Sequence, residues 1–175
     1  MQFVILGLLL TESLSLYDVH KRFSGSVSLF YSASFGALRR ALGQLVDAGH
    51  ATVADAADVR RGKKLYRITL EGRDAWLRWM LQPIIGAEVE TTMLAKVYLL
   101  GRLERATDRQ VALAGIRERL DADHHGLSEL AVTLDATLVA DEHRDLYRWQ
   151  RATLDYGLRS HELALSWIRD LEASA

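Results

Sequence analysis

The 175-residue chain has no cysteine, which excludes disulfide scaffolds, cysteine-bound zinc ribbons, iron–sulfur clusters and thiol nucleophiles. It has one proline, Pro83, so the strongest helix-breaking signal falls at one place. It lacks a basic residue ahead of the apolar run Phe3–Leu10, and no apolar stretch reaches the ~20 residues that a membrane span needs. No secretory signal and no membrane partner are therefore expected, and the expected location is cytoplasmic. What the chain does have is 49% hydrophobic residues and 26% charged ones. That apolar share is ample for a packed core and rules out largely disordered or collagen-like readings.

Net charge is −1, but the two halves differ. Residues 1–80 hold 11 Lys+Arg against 7 Asp+Glu, net +4, whereas residues 81–175 hold 11 against 16, net −5. A basic front half is the pattern of a segment that meets an anion. The break near Pro83 divides the chain into a domain at 1–80, a linker at 81–87 and a second domain at 88–175.

Within the first part the elements are short. Phe3–Leu10 reads as a buried helix or strand, since periodicity alone does not separate the two. Ser15 is placed to cap a helix carrying Leu16, Val19 and Phe23. Ser32 or Ser34 caps the next, where Leu38, Leu42, Leu45 and Val46 recur at helical spacing, and Gly49 marks its stop. His50–Ala56 and Lys64–Thr69 then read as two strands, the second alternating Tyr66 and Ile68 with Leu65, Arg67 and Thr69. Thr69 caps a helix to about Met80, with Glu71 in its first turn.

Three helices, a basic hairpin and a further helix predict a winged helix-turn-helix. The fold class is mainly α (α+β), with a two-stranded wing and a C-terminal helical dimerisation domain. A helix-turn-helix presents its second helix to the major groove. That element opens at Ser34 and Phe35 and leaves Arg39, Arg40 and Gln44 off its apolar stripe. Arginine forks onto guanine O6/N7, and glutamine pairs with adenine N6/N7. The hairpin tip carries Arg60, Arg61, Gly62, Lys63 and Lys64, four cations around a glycine that can follow a phosphate backbone or enter a minor groove. Each feature alone is also what a solvated face looks like; together, in recognition-helix and wing positions, they point to double-stranded DNA.

These segments resemble the PadR-like family of bacterial transcriptional regulators over most of residues 2–80. Phe3-Val-Ile-Leu-Gly-Leu-Leu is similar to the family's opening helix, and Leu16-Tyr-Asp-Val-His-Lys-Arg-Phe23 to its second. Gly36-Ala-Leu-Arg-Arg-Ala-Leu-Gly-Gln-Leu-Val-Asp-Ala-Gly49 is similar to its recognition helix, and Lys64-Leu-Tyr-Arg-Ile-Thr-Leu-Glu-Gly-Arg73 to the wing strand and following helix start. Two positions depart from the pattern: Arg39 stands where the family usually has tyrosine, and His50 where it usually has an aliphatic residue. The resemblance implies a cytoplasmic homodimer on a palindromic operator, usually a repressor, with activators as a subset. It also implies, for some members, a response to phenolic acids or hydrophobic drugs, and for a longer-tailed subgroup a helical C-terminal domain.

The acidic half is helix-forming from Glu88 onward. A short helix spans about Glu90–Leu103. Leu113, Ile116, Leu120, Leu127, Leu130 and Leu134 then recur at alternating three- and four-residue spacing, with Asp123 in one slot. Leu146, Trp149, Thr153, Tyr156, Ser160, Ala164, Trp167 and Leu171 repeat that spacing in a last helix opened by Asp141. Such stripes bury a seam within one chain or against a second copy. A two-fold operator favours the second copy, with Leu146, Trp149, Tyr156, Ala164, Trp167 and Leu171 as its contacts.

Asp121 and His125 share a helix face, yet the remaining metal ligands are missing and no HExxH frame occurs. Glycine-rich phosphate loops and nucleophile elbows are absent too, so no enzyme, metal or cofactor is expected. Trp76, Trp79 and Trp149 are candidates for a pocket that takes a small aromatic effector, although aromatics at helical spacing also serve as core. The alternatives are a winged-helix module for protein–protein assembly without DNA contact, and a helical small-molecule binder.

Overall fold

A computed structural model describes residues 1–55 and 64–174. The chain forms two compact units, Met1–Asp108 and Arg109–Ala175.

In the first unit, α1 (Gln2–Leu9) is apolar on every side and buries Val4, Ile5, Leu6, Leu8 and Leu9. The run that periodicity left open is a helix, as expected of an all-round apolar segment at the centre of a core. α2 (Leu16–Gly25) starts at a capping box: the Ser15 hydroxyl accepts from the Asp18 N–H, and the Asp18 carboxylate accepts from the Ser15 N–H and hydroxyl. Two otherwise unpaired donors are satisfied there, worth about 1 kcal/mol to the helix. α3 (Phe35–Asp47) is capped by Ser34 rather than Ser32, its hydroxyl accepting from the Ala37 N–H at 3.2 Å. The chain leaves α3 through Gly49 at φ 72°, a left-handed turn that costs glycine little.

β1 (Ala51–Asp55) pairs antiparallel with β2 (Lys64–Ile68), Ala51 opposite Ile68 and Val53 opposite Tyr66. The start of α2 is tied to this hairpin by reciprocal main-chain bonds between Leu14 and Tyr66, 2.9 and 3.0 Å. α4 (Leu70–Leu81) is capped by Thr69, whose hydroxyl also donates to Gly49 O at 2.7 Å. Gly72, in the first turn of α4, lies so close to β1 that a Cβ there would sit 2.0 Å from His50 O.

The sequence places a linker at 81–87, but the first unit continues through it and takes in α5 (Val89–Leu99). The reason is a buried ammonium. Lys96 is 2% exposed, donates to the main-chain oxygens of Met80 and Gln82, and lies 5.6 Å above the Trp79 ring. Burial pushes its pKa down to about 8. Tyr98 completes the attachment through Ser26 (2.7 Å between hydroxyls) and the Phe30 ring (5.6 Å between centroids). This arrangement is a winged helix-turn-helix extended by one helix.

The second unit is a helical hairpin. α6 (Ala106–Asp135), which begins in the last residues of the first unit, is followed by α7 (Arg144–Ser174). The antiparallel register is marked by Arg117–Glu172 (3.1 Å), His124–Glu162 (3.7 Å) and Arg151–Asp135 (2.8 Å), with the Tyr147 hydroxyl donating to Leu134 O at 2.9 Å. On α7 the buried residues are Leu154, Leu165 and Ile168. Asp123 does not stand bare in an apolar seam: Arg119, one turn earlier, donates to it at 2.9 Å.

Candidate nucleic-acid interface

α3 buries Leu38, Ala41, Leu42 and Leu45 against the first unit's core. Because a helix advances about 100° per residue, Arg39, Arg40 and Gln44 fall outside that stripe, and all three are exposed. The two arginines flank α3 on different sides. Arg39 lines a groove with Ser15, Leu16 and Tyr17 of the α2 start, Gly43, and Lys64 and Tyr66 of β2, a space of about 690 Å³. Arg40 lines another with Gln2, Phe3, Ala37, Ala41 and Gln44, of about 420 Å³. Gln44 is already engaged, its Oε1 accepting from Gln2 Nε2 at 2.8 Å. A two-point contact to adenine needs that oxygen free or shared, so the geometry leaves Gln44 its amide donors first. Phe35 is 47% exposed and meets the His20 ring edge-on at 5.3 Å.

The wing residues Arg60, Arg61, Gly62 and Lys63 lie outside the described residues, while Lys64 opens β2 and is exposed. The side chains of Arg39, Arg40 and Lys64 take part in no hydrogen bond or ion pair among the described residues. Cations that close on no ion partner keep more of their field toward solvent than paired ones do. Tyr17, 67% exposed, lines the groove beside Arg39. It is a residue that charge and periodicity do not single out, because a tyrosine at a helix start reads equally as a half-buried packing residue.

On α7, Leu146, Trp149 and Tyr156 are 61, 62 and 74% exposed, and Leu163 beside them is 73% exposed. Ala164, Trp167 and Leu171 are half-buried. An exposed apolar row of this size on one helix is unusual for a surface that faces only water.

The tryptophans considered for an effector pocket play separate roles. Trp76 is buried and lines a cavity of about 680 Å³ with Leu10, Leu77, Leu81 and Leu103, rimmed by Arg73 and Asp74. Its Nε1 has no hydrogen-bond partner among the described residues and packs near Gly7, where a Cβ would lie 3.0 Å away. Trp79 turns to α1 and stacks on Phe3 at 5.1 Å, interplanar angle 7°. Trp149, in the second unit, lies under the Arg148 guanidinium at 5.3 Å. Asp121 and His125 meet Arg117 and Glu129 respectively, and the described residues contain no cluster of three or more His, Asp or Glu that could hold a metal. Among the described residues no helix is long and apolar enough to cross a membrane.

No protein-family model matches the chain, and no curated protein does. Solved structures similar to it include Bacillus subtilis PadR in complex with operator DNA, at 24% identity, covering 99% of this chain and 97% of that one with a TM-score of 0.46. A PadR-like transcriptional regulator from Bacillus cereus matches at 23% identity over 99% and 96% of the two chains, TM-score 0.42. The Vibrio cholerae virulence activator AphA matches at 24% identity over 99% and 96%, TM-score 0.42.

Proposed function

We propose that this protein is a DNA-binding transcriptional regulator, not an enzyme, acting as a homodimer on a palindromic operator, with repression as its sign. The observation that carries this reading is the set of exposed cations Arg39, Arg40 and Lys64, on a recognition helix and a wing strand, whose side chains form no ion pair among the described residues. Phosphate neutralisation by such cations releases condensed counterions, so affinity must fall steeply with salt. Anisotropy of a labelled duplex from the region upstream of the protein's own gene, titrated across potassium chloride, tests it. A linear fall of log affinity with log salt is expected, and affinity indifferent to salt overturns the reading.

Self-association is supported by the exposed row Leu146, Trp149, Tyr156 and Leu163. Half-sites about one helical turn apart require two recognition helices held together. Sedimentation equilibrium checks the dimer: a full chain that stays monomeric at micromolar concentration rejects it. A small aromatic effector would enter the cavity beside Trp76, whose walls are leucine and indole and whose rim carries charge. Quenching of tryptophan fluorescence by a phenolic acid, lost in Leu77→Arg, is the expected sign.

A further inference from the structure

Arg39 and Arg40 are neighbours in sequence, yet the structure gives them different surroundings. Arg40 stands with Ala37 and Ala41 on the flank of α3 that faces the start of α1. Arg39 stands in a concave groove walled by two other elements, the start of α2 and β2. Those walls hold their positions: Leu14 and Tyr66 exchange main-chain bonds at 2.9 and 3.0 Å, joining α2's entry to the strand. The floor is Gly43, where an added Cβ would meet nothing within 4 Å. The rim carries Lys64 and the Tyr17 ring, both exposed. The carboxylate at this end of α2, Asp18, is held by the Ser15 N–H at 3.0 Å and hydroxyl at 2.6 Å.

A base edge lies at the bottom of a groove about 12 Å wide, and a side chain reaches it only from the protruding face of an inserted helix. A phosphodiester lies on the ridge outside, where donors from several elements can converge on it. Arg39 meets the second description. We infer that Arg39, Lys64 and the Tyr17 hydroxyl form a seat for one DNA backbone phosphate, and that Arg39 anchors the duplex instead of reading its sequence, leaving base reading on α3 to Arg40. The assignment rests on the DNA-binding reading above.

The test uses the full chain and two duplexes, one selected from a random library for tight binding and one scrambled, each titrated with potassium chloride. Arg39→Gln and Lys64→Gln should each weaken both duplexes by the same factor and flatten the log affinity against log salt slope by about one, leaving the preference between duplexes unchanged. Tyr17→Phe should weaken both equally, by a smaller factor and with no change of slope. Arg40→Gln should cut the preference by about tenfold or more. All four side chains are exposed, so circular dichroism melts should match wild type. A loss of preference in Arg39→Gln, or a slope that it leaves unchanged, overturns the seat while leaving the regulator reading intact. A wild-type chain that binds neither duplex overturns both.

Discussion

In the first unit, Arg39, Arg40 and Lys64 are exposed and form no ion pair among the described residues; in the second, Arg117, Arg119, Arg144, Arg151 and Arg159 each close on an aspartate or glutamate. The cation counts alone do not reveal this contrast. Residues 1–108 hold 14 Lys+Arg and residues 109–175 hold 8, yet the larger difference is in where the acids stand. Pairing along the hairpin cancels its field locally, and two of these pairs, Arg117–Glu172 and Arg151–Asp135, fix which residue of α7 faces which of α6. Such exposed pairs add little stability, so the role of the two cross-helix pairs is register. On α3 and β2 the same residue types close on no ion partner among the described residues. Apolar residues show the reverse contrast, α3 burying its leucines while α7 leaves Leu146, Trp149 and Tyr156 open.

The largest effect should come from the open row on α7. Trp149→Asp combined with Leu146→Asp places two charges where apolar area would be buried, and should weaken self-association by about a hundredfold or more. Sedimentation velocity over a concentration series measures it, and an unchanged dimer would remove α7 from the interface. The charge contrast gives the second test. Arg39→Ala with Lys64→Ala should lower DNA affinity by about tenfold or more at 0.1 M salt, whereas Arg119→Ala, which removes the pair with Asp123, should leave it unchanged in anisotropy. If Arg119→Ala weakens DNA binding as much, the division between paired and unpaired cations has no functional meaning.

Gly43→Ala should sharpen the picture. The helix gains about 0.5–1 kcal/mol from the better helix former, since open space awaits the methyl, yet the raised floor of the Arg39 groove should weaken DNA binding. Chemical denaturation and anisotropy on one variant would therefore move in opposite directions. The smallest effect concerns Asp135, whose carboxyl the hydrogen bond from Arg151 holds below its ordinary pKa of 3.8. A carboxylate depressed in the folded state contributes stability above its unfolded pKa and loses it as pH falls through the folded value. Asp135→Asn should thus be slightly less stable than wild type at pH 6 and match it near pH 2, read from urea midpoints.

The helix starts were legible because their signals are local: Ser15 with Asp18 three residues on, Ser34 and Thr69 each bond a backbone N–H of their own first turn. The faces of α3 were legible for the same reason, since a 3.6-residue period separates Leu38, Leu42 and Leu45 from Arg39 and Arg40. The extent of the first unit was not legible. Pro83 does end α4, but Lys96 reaches back across it to two main-chain oxygens, and a main-chain acceptor leaves no trace in residue type. The flanks of Arg39 and Arg40 were hidden too, because what distinguishes them is α2 on one side and α1 on the other, which only the folded chain brings near.

That strap between Lys96 and the end of α4 also sets how the chain can drift by mutation. One partner offers a side chain, while the others, Met80 and Gln82, offer only carbonyls that every amino acid carries. Gln82 is exposed, so position 82 is open to wide substitution without touching the bond, whereas position 96 has no substitute that both reaches and carries the ammonium. In a saturation scan read by folding, 82 should be nearly flat and 96 sharply peaked at lysine. A contact of this kind constrains the sequence from one end only.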